Sequence, residues 1–393
     1  MQILLQRQKV TLTARKTTRE PNVNEAAVAA EDVEAEVVEA EGVLKAVEAE
    51  APPEGVAQTK TKAKSIDLRG PPTTVGRPSG QTWQHLEGPW PDLLQIQQRD
   101  TYCLKPQVPV GGRLSLFLPF WQSITTDQWV LQVVKHGYRL EFESPPVSTG
   151  RRKTVLQLGE YDMSGEVSGL YDNCSVRYVP PDQVDTGVYS TYFLVDKKDG
   201  GKRLILNLKT LNRCLVKRPF KMETLSSIAP VLQLNTWMAS IDLKDAYLHV
   251  PIFRGHWRFL RFFFKGQDLE FTVTPFGLSP APMLFTRLVL AIVAWLRLRG
   301  IRIHAYLDDI LLLGSSPEEV VHALQVTIHA FTSAGFIINI QKSDLTPSQD
   351  LVYIGGRFCT RIGRVLLPTD RRDALIRVVQ TFFRVGARHP ARS

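Results

Sequence analysis

Residues 301–314, IRIHAYLDDILLLG, restrict the fold more than any other stretch of the chain. Ile301, Ile303, Ala305 and Leu307 alternate with Arg302, His304 and Tyr306, a period of two that predicts a half-buried strand. Asp308-Asp309 interrupts the apolar run where a tight turn fits, and Ile310 to Leu313 returns as the partner strand. Two adjacent carboxylates at a hairpin tip repel each other unless a cation is near, and hard oxygen ligands suit Mg²⁺. Asp-Asp is also ordinary turn chemistry. The hairpin alone leaves both readings open.

The flanking sequence narrows the choice. Trp237 to Leu243 reads as a buried strand with Asp242 near its end. A charge there is costly without a metal, a cap or a salt bridge such as one to Lys244. Lys244 to Tyr247 then turns, and another extended piece ends at Pro251. Phe271 to Gly300 predicts strand, turn and helix, with Thr274 to Gly277 as the turn, Ser279 as the N-cap and Pro280 at the first helical position. Phe285, Leu288, Val289, Ile292 and Leu296 form its apolar face. A second helix, 317–334, opens with a Ser316-x-x-Glu319 capping box and turns Val320, Val321, Leu324, Ile328 and Phe331 inward. Phe336 to Ile340 and Leu351 to Phe358 read as strands, the latter broken at Gly355-Gly356, and an Arg-rich helix follows from about Thr369.

The order strand, helix, hairpin, helix, strand is the β-α-β-β-α-β arrangement of ferredoxin-like folds. In it Asp242 and the hairpin tip lie on neighbouring central strands, so Asp242, Asp308 and Asp309 converge. Three such carboxylates suit two divalent ions, one activating an attacking oxygen and one stabilising a leaving oxygen.

Upstream, 1–80 predicts a disordered tail and linker. VEAE occurs at 33–36, 38–41 and 47–50, with too little apolar surface to offset chain entropy. Order is expected to begin near Trp83 to Trp90. Thr126-Asp127 caps a helix ended by Gly137, and Tyr138 to Phe142 follows as a short strand. The aromatic residues here suit core packing, with base stacking as the alternative. Tyr189 to Asn207 reads as a hairpin turning at Lys198-Asp199-Gly200-Gly201, with Lys197, Lys198, Lys202 and Arg203 at its tip. A basic hairpin tip suits a phosphate, and an ordinary solvated turn is the alternative.

Charge points to the partner. Pro21 to Val56 holds ten acids and one base, so that a total of +9 leaves +18 on the rest, which suits a polyanion such as nucleic acid. The longest apolar run, Leu288 to Leu296, is too short to span a bilayer, and MQILLQRQKV is too polar for a secretory signal. Cys103, Cys174, Cys214 and Cys359 form no Cys-x-x-Cys pair, which speaks against zinc and for a reducing compartment. An intracellular protein, nuclear or cytoplasmic, without membrane contact is expected.

TYFLVDKKDGGKRLILNLKTLN, SIDLKDAYLHVPI, TPFGLSPAPMLFTRL, YLDDILLLG, GFIINIQKSDLTPS and YIGGRF follow one another in an order and spacing that resemble retroelement reverse transcriptases. The details are most similar to the DIRS group of tyrosine-recombinase retrotransposons. The segment GGRLSLFLPFWQSITTDQWVLQVVKHGYRLEFESPP resembles that group's pre-polymerase region. The resemblance spans roughly residues 83–370. It implies an α+β right-hand polymerase with a ferredoxin-like palm, fingers and a truncated thumb. The expected divisions are a tail at 1–80, a pre-polymerase region and start of the fingers at 81–180, fingers and palm at 181–365, and the start of the thumb at 366–393.

By motif, the resemblance implies that Asp242, Asp308 and Asp309 hold two Mg²⁺ ions, or Mn²⁺ in their place. Tyr247, after Asp245 and Ala246, matches the aromatic gate against a ribose 2′-hydroxyl. Lys197 and Arg203 match the triphosphate grip, Phe276-Gly277 the turn against the template–nucleotide pair, and Lys342 a lysine that protonates pyrophosphate. Tyr353, Gly355 and Gly356 match the primer-gripping hairpin. The implied partners are a primed RNA or DNA template and dNTPs, with ribonuclease H and recombinase regions downstream in a longer polyprotein. No residues here suit ribonuclease H activity. The alternative function is a decayed element that binds nucleic acid without catalysis. Asp196 departs from the family's usual proline and adds negative charge beside the triphosphate grip.

Overall fold

Short apolar runs and two long amphipathic stretches form the secondary structure of the computed structural model, which describes residues 66–67, 108–151, 163–196 and 200–386. The first elements are β1 (Ile66–Asp67), α1 (Leu118–Ile124), α2 (Gln128–His136), α3 (Ser164–Asp172), β2 (Val176–Tyr178), β3 (Tyr192–Asp196) and β4 (Lys202–Leu206). Then come α4 (Lys209–Asn212), α5 (Leu225–Ile228), β5 (Trp237–Asp242), β6 (Arg261–Phe264), β7 (Gln267–Phe271) and α6 (Ala281–Arg297). The hairpin β8 (Arg302–Tyr306) and β9 (Asp309–Gly314) leads to α7 (Pro317–Ser333) and β10 (Asp344–Ser348). The chain continues through β11 (Asp350–Tyr353), β12 (Gly356–Cys359), β13 (Arg364–Leu366) and α8 (Thr369–Gly386).

β5, α6, β8, β9, α7 and β10 make the expected ferredoxin-like unit. Its antiparallel sheet has the order β10-β5-β9-β8, which sets β5 against β9 at the centre. The run Ile310–Leu313 is continuous because it is buried on both faces. Ile310 and Leu312 join the main core with α6 and α7, whereas Leu311 and Leu313 join a second cluster with Met238, Tyr353 and Phe358. Along α6, Leu284, Phe285, Leu288, Ile292, Val293 and Leu296 are fully buried, each contributing about 1.5–3 kcal/mol.

Several expectations shift. The fourth palm strand is Asp344–Ser348, not Phe336 to Ile340. In the earlier segment Ile338 makes only an isolated bridge to Leu243, and the Ile337 N–H goes to a side chain, His249. Tyr138 to Phe142 likewise makes isolated bridges, at Tyr138 and Phe142, because the Leu140 N–H is taken by His256 Nδ1. Helix α6 starts at Ala281, with Pro280 as its N-cap, and the Ser279 N–H is held by Asn212. Ser316 caps α7 as expected, but Glu319 returns to Ser315 rather than to Ser316, and Val321 is only half-buried. Trp83 to Trp90 and most of 1–80 lie outside the described residues. Ile66–Asp67, expected in the tail, instead pairs with β13, whose free edge offers backbone partners.

Helices α1 and α2 pack against α6. Asp127 caps α2 by accepting from the Trp129 and Val130 N–H groups, and Gly137 ends it. Trp121 is fully buried and donates its indole N–H to the Ala334 carbonyl, so it serves the core. In the fingers, the order β2-β7-β6 buries Glu270 between Arg261 and Arg177, at 2.9 and 2.7 Å. Removing one partner from such a buried pair costs about 3–5 kcal/mol. No described helix is long and apolar enough to cross a membrane.

Candidate active site

The antiparallel register of β5 and β9 sets Asp242 opposite Asp309. Between β8 and β9 only Leu307 and Asp308 remain for the turn, with Leu307 held at φ 52°. A leucine in this left-handed region is strained, and such strain persists where the surroundings over-determine the turn. One restraint is direct: the Leu243 N–H donates to the Asp308 carbonyl at 3.0 Å. Asp308 therefore sits beside the end of β5.

The two carboxyls sense each other. Burial raises the pKa of Asp242, as does the Asp308 charge, against a hydrogen bond from Asn339 and the Lys342 charge. Burial also raises Asp308, while the Arg203 and Lys342 charges oppose it. Asp309 faces a different environment. Tyr353 is pushed well above the usual phenol range by burial and then by the Asp309 and Glu223 charges, and its hydroxyl donates to the Asp309 carbonyl at 3.0 Å. The Asp308 charge thus acts on both Asp242 and Tyr353, and Asp309 adjoins Tyr353 through its carbonyl.

The donor set suits a hard cation. Two half-desolvated carboxylates that disfavour each other's charge are relieved by a divalent ion. Among the described residues no group of three or more His, Cys, Asp or Glu side chains forms a metal cage. Mg²⁺ is ordinarily held by one or two carboxylates with substrate phosphates and water, so the pair suffices as the protein's share.

Around the pair stand most of the other expected residues. Asp245 adopts φ 49° and starts the 3₁₀ turn Ala246–His249, which carries Tyr247. The Tyr247 ring lies 5.4 Å from Phe276 and 5.5 Å from Phe285, and burial with the Asp308 charge pushes its phenol up to about 12. The Arg203 guanidinium lies 4.3 Å from the centre of the Phe276 ring, which joins β4 to the palm. Gly277, at φ 95°, is required at its position, since a Cβ there would stand 2.4 Å from the Leu206 carbonyl oxygen. Lys342 is exposed on the 3₁₀ turn Ile340–Lys342, with its charge acting on both carboxyls. Lys197 lies outside the described residues. The Asp196 charge is answered by an ion pair with Lys202 across the hairpin.

The β11–β12 turn consists of Ile354 and Gly355, at φ 38° and 80°, and Gly356 already belongs to β12. Two positive φ values fit a type I′ hairpin. The tip adjoins α8, because the space beside Gly355 is filled by the Arg371 guanidinium.

Three supporting residues escape a reading of motifs alone. Asn212 donates to the Gly277 carbonyl at 2.8 Å and accepts from the Ser279 N–H at 3.0 Å, clamping the Phe276-Gly277 turn to the fingers. Ser343 accepts from the Asp242 N–H and donates to the Asn339 carbonyl, fixing the end of β5. Glu223 accepts from His304 Nδ1 and the Ala305 N–H, bracing β8 before the turn.

Comparison with known proteins follows this geometry. Residues 195–358 match the family described as reverse transcriptase (RNA-dependent DNA polymerase). The Transposon Tf2-3 polyprotein of Schizosaccharomyces pombe is 24% identical over 225 residues, 56% of this chain and 16% of the relative. The Tf2-7 polyprotein of the same organism is 23% identical over the same shares. The chain thus spans about one-sixth of the length of these curated relatives. A solved foamy viral protease-reverse transcriptase in complex with double-stranded DNA is 18% identical, covering 65% of this chain and 48% of that one with a TM-score of 0.46. The matched segment, 195–358, contains every candidate site residue from Lys197 to Gly356.

Proposed function

We propose that this chain is the RNA-directed DNA polymerase of a retrotransposon of the DIRS group, adding dNTPs to a primer by two-metal phosphoryl transfer. The observation that carries the reading is the meeting of Asp242 and Asp308, far apart in sequence, beside Arg203, Tyr247 and Lys342. Each of these types suits one part of the reaction.

Two Mg²⁺ ions, or Mn²⁺, held by Asp242 and Asp308 with Asp309 beside them, would lower the pKa of the primer 3′-hydroxyl and neutralise charge on the departing pyrophosphate. The chain's own residues supply positioning. Arg203, over the Phe276 ring, offers a planar fork of donors to the triphosphate, and Lys197 is assigned to the same grip. Tyr247 with Asp245 and Ala246 forms the floor against the sugar and excludes a 2′-hydroxyl. Phe276 and Gly277 meet the template–nucleotide pair, and Lys342 gives a proton to the leaving pyrophosphate. Tyr353, Gly355 and Gly356 hold the primer end.

The basic body follows the template–primer phosphates, so binding weakens steeply with salt. The DIRS assignment rests on the pre-polymerase segment, which packs on the palm through Trp121 and Ala334. The thumb from 366 onward and ribonuclease H and recombinase regions of a longer polyprotein complete this reading. The substrates place its action inside the cell. The test is primer extension by the full chain on a primed RNA template with dNTPs and Mg²⁺. Extension that stops on chelation is expected, and no extension at any Mg²⁺ concentration overturns the reading.

A further inference from the structure

His249 is fully buried, yet nothing in the proposed chemistry uses it. Its ring nitrogens face opposite kinds of partner. Nδ1 lies 3.2 Å from the Asp245 and Ala246 carbonyl oxygens, which only accept, so Nδ1 carries the hydrogen. Nε2 receives the Ile337 N–H at 3.2 Å, so Nε2 is bare. One neutral tautomer satisfies all three partners.

Those partners belong to two separate segments. Asp245 is the left-handed residue that starts the Ala246–His249 turn, and that conformation costs a non-glycine residue about 1–3 kcal/mol. Ile337 precedes Ile338 and Asn339, which pair with the end of β5: Ile338 bridges Leu243, and the Asn339 N–H donates to the Asp242 carbonyl at 2.8 Å. The His249 ring therefore ties the turn carrying Tyr247 to the segment that fixes Asp242. From behind, the Gly112 N–H donates to the Leu248 carbonyl at 2.9 Å, and Phe336 packs 5.4 Å from the His249 ring. Among the described residues, His249 is the side chain that caps the strained residue itself.

We propose that His249 is a positioning residue for sugar discrimination: it holds the Asp245–Tyr247 turn at the distance from Asp242 that sets Tyr247 against the 2′ position of an incoming nucleotide. The proposal rests on the polymerase reading above. It assigns His249 no contact with substrate and no proton transfer.

The test compares dNTP and rNTP incorporation by the full chain with three variants. His249→Phe keeps the ring but loses all three hydrogen bonds. His249→Asn keeps a donor for the turn. Trp121→Phe removes a buried hydrogen bond elsewhere on the palm and serves as a control for lost stability. His249→Phe is expected to lower the dNTP-over-rNTP preference about tenfold, mainly through a lower KM for rNTP with kcat for dNTP little changed. His249→Asn is expected to recover part of that preference, and Trp121→Phe to lower the melting temperature without altering it. An unchanged preference in a folded His249→Phe overturns the proposal alone. So does an equal loss of preference in Trp121→Phe. If His249→Phe fails to fold, His249→Asn decides: a preference and an rNTP KM equal to wild type overturn the proposal, and an intermediate preference supports it. A wild-type chain that never extends a primer overturns the polymerase reading and this proposal with it.

Discussion

Strand β9 and the β3–β4 hairpin both present charged residues to the site, but their supports differ. β9 is central in a four-stranded sheet, with Ile310, Leu311 and Leu312 fully buried and helices packed over one face. The β3–β4 sheet has two strands, with Tyr192, Leu204 and Leu206 as its buried side chains. A two-stranded ribbon with few buried contacts opens more easily than a central strand. The carboxylates thus sit on a stiff element and Arg203 on a softer one. In the proposed reaction, this division would keep the carboxylates fixed while Arg203 moves with its hairpin.

The comparison breaks first at the stiff element. Replacing Asp308 by Ala is expected to reduce primer extension at least about a thousandfold with unchanged template affinity. Steady-state extension and hybrid binding check this together. The second largest effect is on stability. His249 is held neutral because burial, then the Arg113 charge, lowers its pKa from 6.5 to about 4. The unfolded chain takes up that proton first as pH falls. The stability is therefore full above about pH 6.5 and declines toward pH 4, by roughly 3 kcal/mol in all. Urea midpoints at pH 7 and 4.5, for wild type against His249→Asn, check the slope.

The junction between the two regions gives the next effect. Gly277→Ala forces a Cβ toward the Leu206 carbonyl in a conformation unfavourable for alanine, at a cost on the order of 1–3 kcal/mol. Thermal melting reads the loss. On the softer element, Arg203→Ala is expected to raise the KM for dNTP about tenfold while leaving the fold intact. The smallest effect belongs to the exposed Asp196–Lys202 pair, where Asp196→Ala changes stability by less than about 1 kcal/mol. A large loss there would contradict the view of the hairpin as lightly held.

Legibility in the sequence follows the same division. Asp242 and the β8–β9 hairpin were readable because alternation of period two and a doubly buried run leave few other folds for those residues. The palm helices were readable from their apolar faces. β10 was not: Asp344-Leu-Thr-Pro-Ser holds a proline and an acid, which an edge strand tolerates and a propensity reading rejects. Phe336 to Ile340 had the strand pattern, but His249 took the Ile337 N–H from the ladder. Contacts set by distant side chains, such as Asn212 on the Gly277 turn or Ser343 on β5, leave no periodic trace. Candidate site residues show in motifs, whereas their braces appear only in three dimensions.

The central claim is that Asp242 and Asp308 jointly hold a divalent ion. Electron paramagnetic resonance of Mn²⁺, titrated into the full chain with primed template and a non-hydrolysable dNTP, tests it without requiring turnover. Wild type should show tightly bound Mn²⁺ that is lost in both Asp242→Asn and Asp308→Asn. Mn²⁺ binding of equal strength in either variant and wild type would contradict the account.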